Sequence, residues 1–285
     1  MAIQFLKMHG LGNDFVVIDM RDQHVPHHGD VYRFLCDRKR GIGCDQLVLV
    51  CAPRDDKSDL YVRLINMDGM EVGMCGNALR CVVGAFWDIV PRRDPQYLVL
   101  ATQAGYYPSR KISDTEAEVM MGQAKTDWAS IPLASAQDYL AVRVQSDLPV
   151  PIAGVMNIGN PHAVFMVDDA LSVPLEQWGK DLEYDAVFPE RANIEFIHVV
   201  DKHHVRMRVW ERSAGITEAC GSGACASAFI AQQRELVQSP VTVQMDGGSL
   251  SIRITDDGVI YQSGAFTHAF SGAVDLPPEL ENVVV

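Results

Sequence analysis

The sequence predicts an α/β protein made from one domain used twice. The motif Met74-Cys75-Gly76-Asn77-Ala78-Leu79-Arg80-Cys81 recurs as Ala219-Cys220-Gly221-Ser222-Gly223-Ala224-Cys225, a period of 145 residues. In both copies a Cys-Gly pair precedes an apolar run, Leu79–Trp87 and Ala224–Ala231, which reads as a loop turning into a buried helix. Strand-like runs surround each helix, and landmarks fall at near-equal offsets. Asn13 lies 62 residues before Cys75 and Asn160 lies 60 before Cys220. Asn66 and Glu211 both stand nine residues before their cysteine, and Gly122 and Gly264 follow by 47 and 44. Such a long period indicates a duplicated domain, far beyond the repeat of a solenoid.

In chain order, Ile3–Met8 and Phe15–Asp19 read as strands around the loop His9-Gly10-Leu11-Gly12-Asn13. A helix-compatible stretch covers Asp30–Arg38. The turn-rich Arg40–Asp45 then leads into the strand Gln46–Cys51. Leu60–Asn66 is a strand closed by Met67-Asp68-Gly69, and after the cysteine helix come strands near Tyr97–Thr102, Gly105–Ile112 and Glu116–Met121. The second half follows the same plan, with Met156-Asn157-Ile158-Gly159-Asn160-Pro161-His162 in the place of Met8–Asp14. The domains expected are residues 1–122, joined by the returning tail 265–285, and residues 123–264. Lys125–Leu148, with mixed polarity and Pro132, is the expected crossing between them.

Composition narrows the function. The 285 residues are 48% apolar and 21% charged, an ordinary globular balance. A net charge of −13 argues against a nucleic-acid or anionic-membrane partner. No segment approaches the roughly 18–20 apolar residues of a membrane span. The chain opens directly on a strand without a signal-peptide pattern, and seven scattered cysteines do not suggest a disulfide framework. A cytoplasmic protein is expected, with a homodimer left open as its assembly.

For an intracellular cysteine the ordinary role is a small buried hydrophobe. That reading suits Cys36, Cys44, Cys51, Cys81 and Cys225, all beside apolar or helical runs. Cys75 and Cys220 differ, because both precede glycine at a helix start, where the helix dipole and free N–H groups favour thiolate. Zinc spacing, a C-x-x-C redox pair and a phosphate loop are missing, so no metal or other cofactor is expected. Gly221–Ala226 fits a loose dinucleotide pattern, but too little chain follows for such a unit. His24, His27 and His28 read as a solvated loop.

Two equivalent thiols suit an inversion. If a pseudo-twofold relates the halves, both helix starts can face one cleft and bind one carboxylate. One thiolate then removes an α-proton and the opposite thiol returns another. Asn13, Asn160, Asn193 and Gln46 stand at strand–loop junctions and suit a polar pocket, while Glu211-Arg212 suits an ammonium and a carboxylate. His162, after Gly159-Asn160-Pro161, is either a structural histidine or a participant.

These stretches, together with Gly41-Ile42-Gly43-Cys44-Asp45-Gln46, Asn66-Met67-Asp68-Gly69 and Glu190-Arg191-Ala192-Asn193, resemble the diaminopimelate epimerases along nearly the whole chain. The resemblance implies two pseudo-symmetric domains, each a curved, mostly antiparallel sheet wrapped around a central helix. It implies a cofactor-independent enzyme interconverting LL- and meso-diaminopimelate in lysine and peptidoglycan precursor synthesis. Carried over by position, Cys75 and Cys220 are the acid–base pair, and Gly76, Asn77, Gly221 and Ser222 cradle the reacting carboxylate. Asn13, Gln46, Asn66, Asn160, Asn193 and Arg212 then hold substrate, mostly at its far end, with His162 and Glu211 beside the reacting amino group. The chain departs from the common pattern at Met70, Ala78, Ser213 and Ile216. Glu218 is an expected influence on the Cys220 thiol, raising its pKa if it points inward. The rival readings are a racemase of another amino acid on the same fold and a non-catalytic amino-acid binder. A one-cysteine hydrolase or a redox protein is more distant.

Overall fold

The computed structural model describes residues 2–281. The chain forms two compact units, one from the residues up to Val119 together with those from Gly264 onward, the other Met120–Ser263. The first holds β1 (Ile3–Gly10), β2 (Asn13–Asp19), α1 (Gly29–Cys36), β3 (Gln46–Cys51), β4 (Leu60–Asn66) and β5 (Glu71–Val72). It continues with α2 (Gly76–Phe86), β6 (Leu98–Thr102), β7 (Gly105–Ser113) and β8 (Glu116–Gln123). The second has β9 (Val142–Arg143), β10 (Ile152–Asn157), β11 (Pro161–Met166), α3 (Leu175–Glu183), β12 (Asn193–Asp201), β13 (His204–Glu211) and β14 (Gly215–Thr217). Then come α4 (Gly221–Gln233), β15 (Val241–Met245), β16 (Gly248–Ile254) and β17 (Val259–Ala265). The chain ends with β18 (Thr267–Val274) and the short α5 (Pro278–Glu281).

The pairing scheme is the same in both units. In the first, β1 and β2 are antiparallel, β2 and β3 parallel, β3 and β4 antiparallel, and β4 runs parallel to β6 before the β6–β7–β8 meander. In the second, β10–β11, β11–β12, β12–β13 and β13–β15 take the same orientations, followed by β15–β16–β17. The edge of the first sheet is extended by β18, antiparallel to β1. Runs such as Phe15–Ile18 and Leu47–Val50 are buried at every residue, so both faces of these parallel-paired strands are covered.

The cover is the helix. In the first sheet α2 packs against β1, β2, β7 and β18. In the second, α4 packs against β10, β11, β12, β13, β15 and β16. Every residue from Gly223 to Ala231 is buried, as a helix apolar all round requires. Each sheet curves about its helix, which is why the apolar runs after the two Cys-Gly pairs are needed.

The segment 125–148 is more than a crossing. Ile131, Leu133, Val142 and Val144 are buried in the core of the second unit with Phe165, Phe196 and Leu182. Its spaced apolar residues had too little periodicity to announce this. The helix expected over Asp30–Arg38 spans Gly29–Cys36, with His28 accepting from the Asp30 N–H at its start.

Candidate active site

Both singled-out cysteines are N-caps. Cys75 holds the N-cap position of α2 and Cys220 that of α4, each with extended backbone at the end where helix N–H groups are unpaired. The Cys220 sulfur accepts a cap hydrogen bond from Gly223, and the Cys75 side chain makes no cap hydrogen bond. The matched pair Asn66 and Glu211 are the last residues of β4 and β13.

In the first unit the structure gathers Asn13, Cys75 and Asn77. The Cys75 thiol lies 3.7 Å from Asn13 Oδ1, which also accepts from Asn77 Nδ2 at 3.3 Å. Asn77 Oδ1 accepts from Arg80 at 2.6 Å, and Asn13 Nδ2 donates to Asp45 at 3.0 Å. Asp45 also takes the Asp14 backbone N–H and is bridged by Arg38 to Asp14. Burial pushes the Asp14 carboxyl up, but Arg38 and Lys7 outweigh it and hold it well below the usual carboxylate range. Gln46 and Asn66 are register partners across β3 and β4, with Gln46 Nε2 donating to Asn66 Oδ1 at 2.8 Å. Gln46 Oε1 is buried with no hydrogen-bond partner among the described residues.

The second unit gathers Asn160, His162, Asn193 and Arg212. His162 and Asn193 are register partners, and Asn193 donates to the Pro161 carbonyl at 2.9 Å while accepting the Arg212 N–H at 2.9 Å. The His162 ring lies between Glu195 at 2.6 Å and Asn160 at 2.9 Å. Cys220 Sγ accepts the Gly223 N–H at 3.4 Å and lies 3.6 Å from Ser222 Oγ. Glu211 is held by Thr217 at 2.5 Å.

The thiolate expectation needs correction at Cys220. Burial, then the carboxylates of Glu211 and Glu195, push this thiol well above its ordinary value. The N-cap contact works against this shift and loses. Glu218 is not the acidic neighbour responsible, since it is exposed and turned to solvent. Of the departures from the common pattern, Met70 and Ile216 are exposed, Ala78 is buried in α2, and Ser213 has φ +65°, the left-handed region that glycine favours. Cys36, Cys44, Cys81 and Cys225 are buried, and Cys51 is half-buried.

Sequence reasoning did not single out Asp45, Arg80 and Glu195, which hydrogen-bond to Asn13, Asn77 and His162. Arg80 interrupts the apolar helix α2 and Glu195 the apolar strand Ile194–Ile197, interruptions that name no partner by themselves, and Asp45 stands in a turn-rich stretch. Among the described residues no group of three His, Cys, Asp or Glu is placed to hold a metal ion.

The diaminopimelate epimerase family model matches residues 5–126 and 154–269. The chain belongs to the diaminopimelate epimerase family. It is 45% identical to the diaminopimelate epimerase of Rhodospirillum centenum over 272 residues, covering 95% of this chain and 92% of that one. It is 42% identical to that of Acidiphilium cryptum, covering 96% and 97%. The family fold extends to distant structures. A probable proline racemase from Agrobacterium radiobacter aligns with a TM-score of 0.69 at 17% identity, over 99% of this chain and 96% of that one. A hydroxyproline epimerase from Agrobacterium vitis aligns at 0.66 and 14%, over 100% and 96%. At such identity these two speak for the fold alone.

Proposed function

We propose that the protein interconverts LL- and meso-diaminopimelate, with Cys75 and Cys220 as the two acid–base groups. The observation that carries the proposal is the equivalent placement of the two cysteines, each at the N-cap position of the buried helix of its own unit. One thiol would suffice for a hydrolase. Inversion at carbon uses two, one for each face.

The reacting carboxylate takes backbone N–H groups at the helix starts, from Gly76 and Asn77 and from Gly221 and Ser222. These donors favour the negative charge that spreads onto the carboxylate as the α-proton leaves. A thiolate at one cysteine abstracts the proton, and the thiol of the other delivers a proton to the opposite face. After one inversion the two have exchanged protonation states. A Cys220 thiol kept protonated by burial suits the donor's part in one direction. His162 and Glu211 serve the reacting ammonium. Asn13, Gln46, Asn66, Asn160, Asn193 and Arg212 serve mostly the second amino-acid head, a group rich in both donors and acceptors.

No helix of the described residues is long and apolar enough to cross a membrane. A cytoplasmic site of action, where thiols stay reduced, goes with this chemistry. The proposed assembly is a homodimer. Light scattering giving twice 31.5 kDa would support the dimer, and 31.5 kDa would exclude it.

The activity is tested by incubating the protein with LL-diaminopimelate and resolving the diastereomers, alongside a panel of single-headed L-amino acids. Conversion confined to diaminopimelate is the expected result. Turnover of another amino acid with none of diaminopimelate would overturn it.

A further inference from the structure

Glu195 is a carboxylate set in the middle of an apolar strand, between Ile194 and Phe196, and it has no exposure to solvent. Burying a carboxylate costs several kcal/mol unless it is paired. Its pair is His162, equally buried, with Oε1 2.6 Å from Nδ1. The second oxygen, Oε2, has no hydrogen-bond partner among the described residues. Backbone is cleared to admit the group. A Cβ on Gly223 would sit 2.8 Å from Glu195 Oε1 and 3.3 Å from Cys220 Sγ. The carboxylate and the Cys220 sulfur therefore flank the same α-carbon in the first turn of α4.

We propose that Glu195 is a positioning residue of the epimerase reaction, committing the Nδ1–H of His162 so that Nε2 is left as an acceptor for the substrate's α-ammonium beside Cys220. This rests on the function proposed above. A neutral imidazole carries one N–H, and the hydrogen bond at one nitrogen decides which nitrogen has it. A carboxylate at Nδ1 takes the proton there and holds the ring plane. Nε2 lies 2.9 Å from Asn160 Oδ1, and with Nδ1 protonated this amide must make a half-turn about its last bond to offer its NH₂ instead. A substrate ammonium would take over as donor to the same lone pair. The other ionisable groups facing this pair are Glu211, on β13, and Cys220, at the cap of α4. Burial pushes the Glu195 carboxyl up, and the attraction of His162 opposes the shift without cancelling it.

The test is Glu195→Gln, which keeps the volume and removes the charge. Its amide can donate to Nδ1 and so reverse the tautomer. Turnover should fall about ten- to a hundredfold with KM little changed, the range typical of a lost residue behind a ligating histidine. Nitrogen NMR of the unliganded protein, with His162→Gln to assign the ring, should show Nδ1–H in the wild type and loss of that preference in the variant. Unchanged kcat and an unchanged tautomer in Glu195→Gln would overturn the assignment. If the variant does not fold, the wild-type spectrum decides alone, and an Nε2–H ring overturns it. A wild type inactive on every amino acid would instead sink the epimerase reading. An active wild type with an unaffected variant sinks only the role of Glu195.

Discussion

Arg80 donates to the side-chain oxygen of Asn77 at 2.6 Å, one turn inside the helix that Cys75 caps. The contact sets a direction. Arg80 can only donate, so Asn77 must turn its NH₂ toward Asn13, and Asn13 must turn its own NH₂ toward Asp45, which as a carboxylate only accepts. Asn13 Oδ1 is thereby aimed at the Cys75 thiol. A cation at one end and an anion at the other fix two amides whose orientation would otherwise be free.

Arg80→Leu should therefore disturb both folding and turnover. Hydrogen bonds to a charged donor contribute about 1.5–3 kcal/mol, and a loss of that order is expected in urea unfolding. Arg80→Lys should recover only part, because a compact ammonium lacks the planar fork. A variant as stable and as active as the wild type would show that the chain of amides does not depend on its cationic end.

Cys220 should be a thiol in the resting protein. The ultraviolet absorbance of thiolate near 240 nm should be the same in wild type and Cys220→Ala at pH 8, and a difference would contradict the assignment. Stability carries the same sign. A free thiol ionises near pH ~8.5 in the unfolded chain. The folded chain keeps this proton, so stability from this group is complete below that pH and declines as pH rises through the raised folded value. Cys220→Ala should reduce the alkaline loss of stability.

Gly84 in α2 leaves room for the ring of Phe266, and a Cβ there would lie 2.2 Å from it. Gly84→Ala should cost about 1–3 kcal/mol by overpacking, despite alanine's better helix propensity. Adding Phe266→Leu should recover part of that loss in a double-mutant cycle. Additive effects would mean that the two positions do not compete for space.

The sequence made the cysteine caps legible because a Cys-Gly pair before an apolar run has few other uses, and its recurrence multiplied the signal. Asn66 and Glu211 were found by offset, and both prove to end equivalent strands. Glu195 and Arg80 were not legible, since a single charge inside an apolar run looks like an interruption until its partner is known. The partner of Glu195 is 33 residues away, on the neighbouring parallel strand. Glu218 shows the reverse error. Nearness in sequence suggested influence on Cys220, but the chain turns it outward and brings Glu211 and Glu195 to the thiol instead. The pKa of a buried group follows from what packs on it.

The most direct test of two-base inversion follows solvent deuterium into LL-diaminopimelate in the wild type, Cys75→Ala and Cys220→Ala. The wild type should form the meso isomer with one deuterium at the inverted carbon, and each variant should lose turnover by at least about a thousandfold, as expected when a group acting as part of a unit is removed. Near-normal epimerisation by either single variant, or inversion without deuterium, would contradict the two-thiol mechanism.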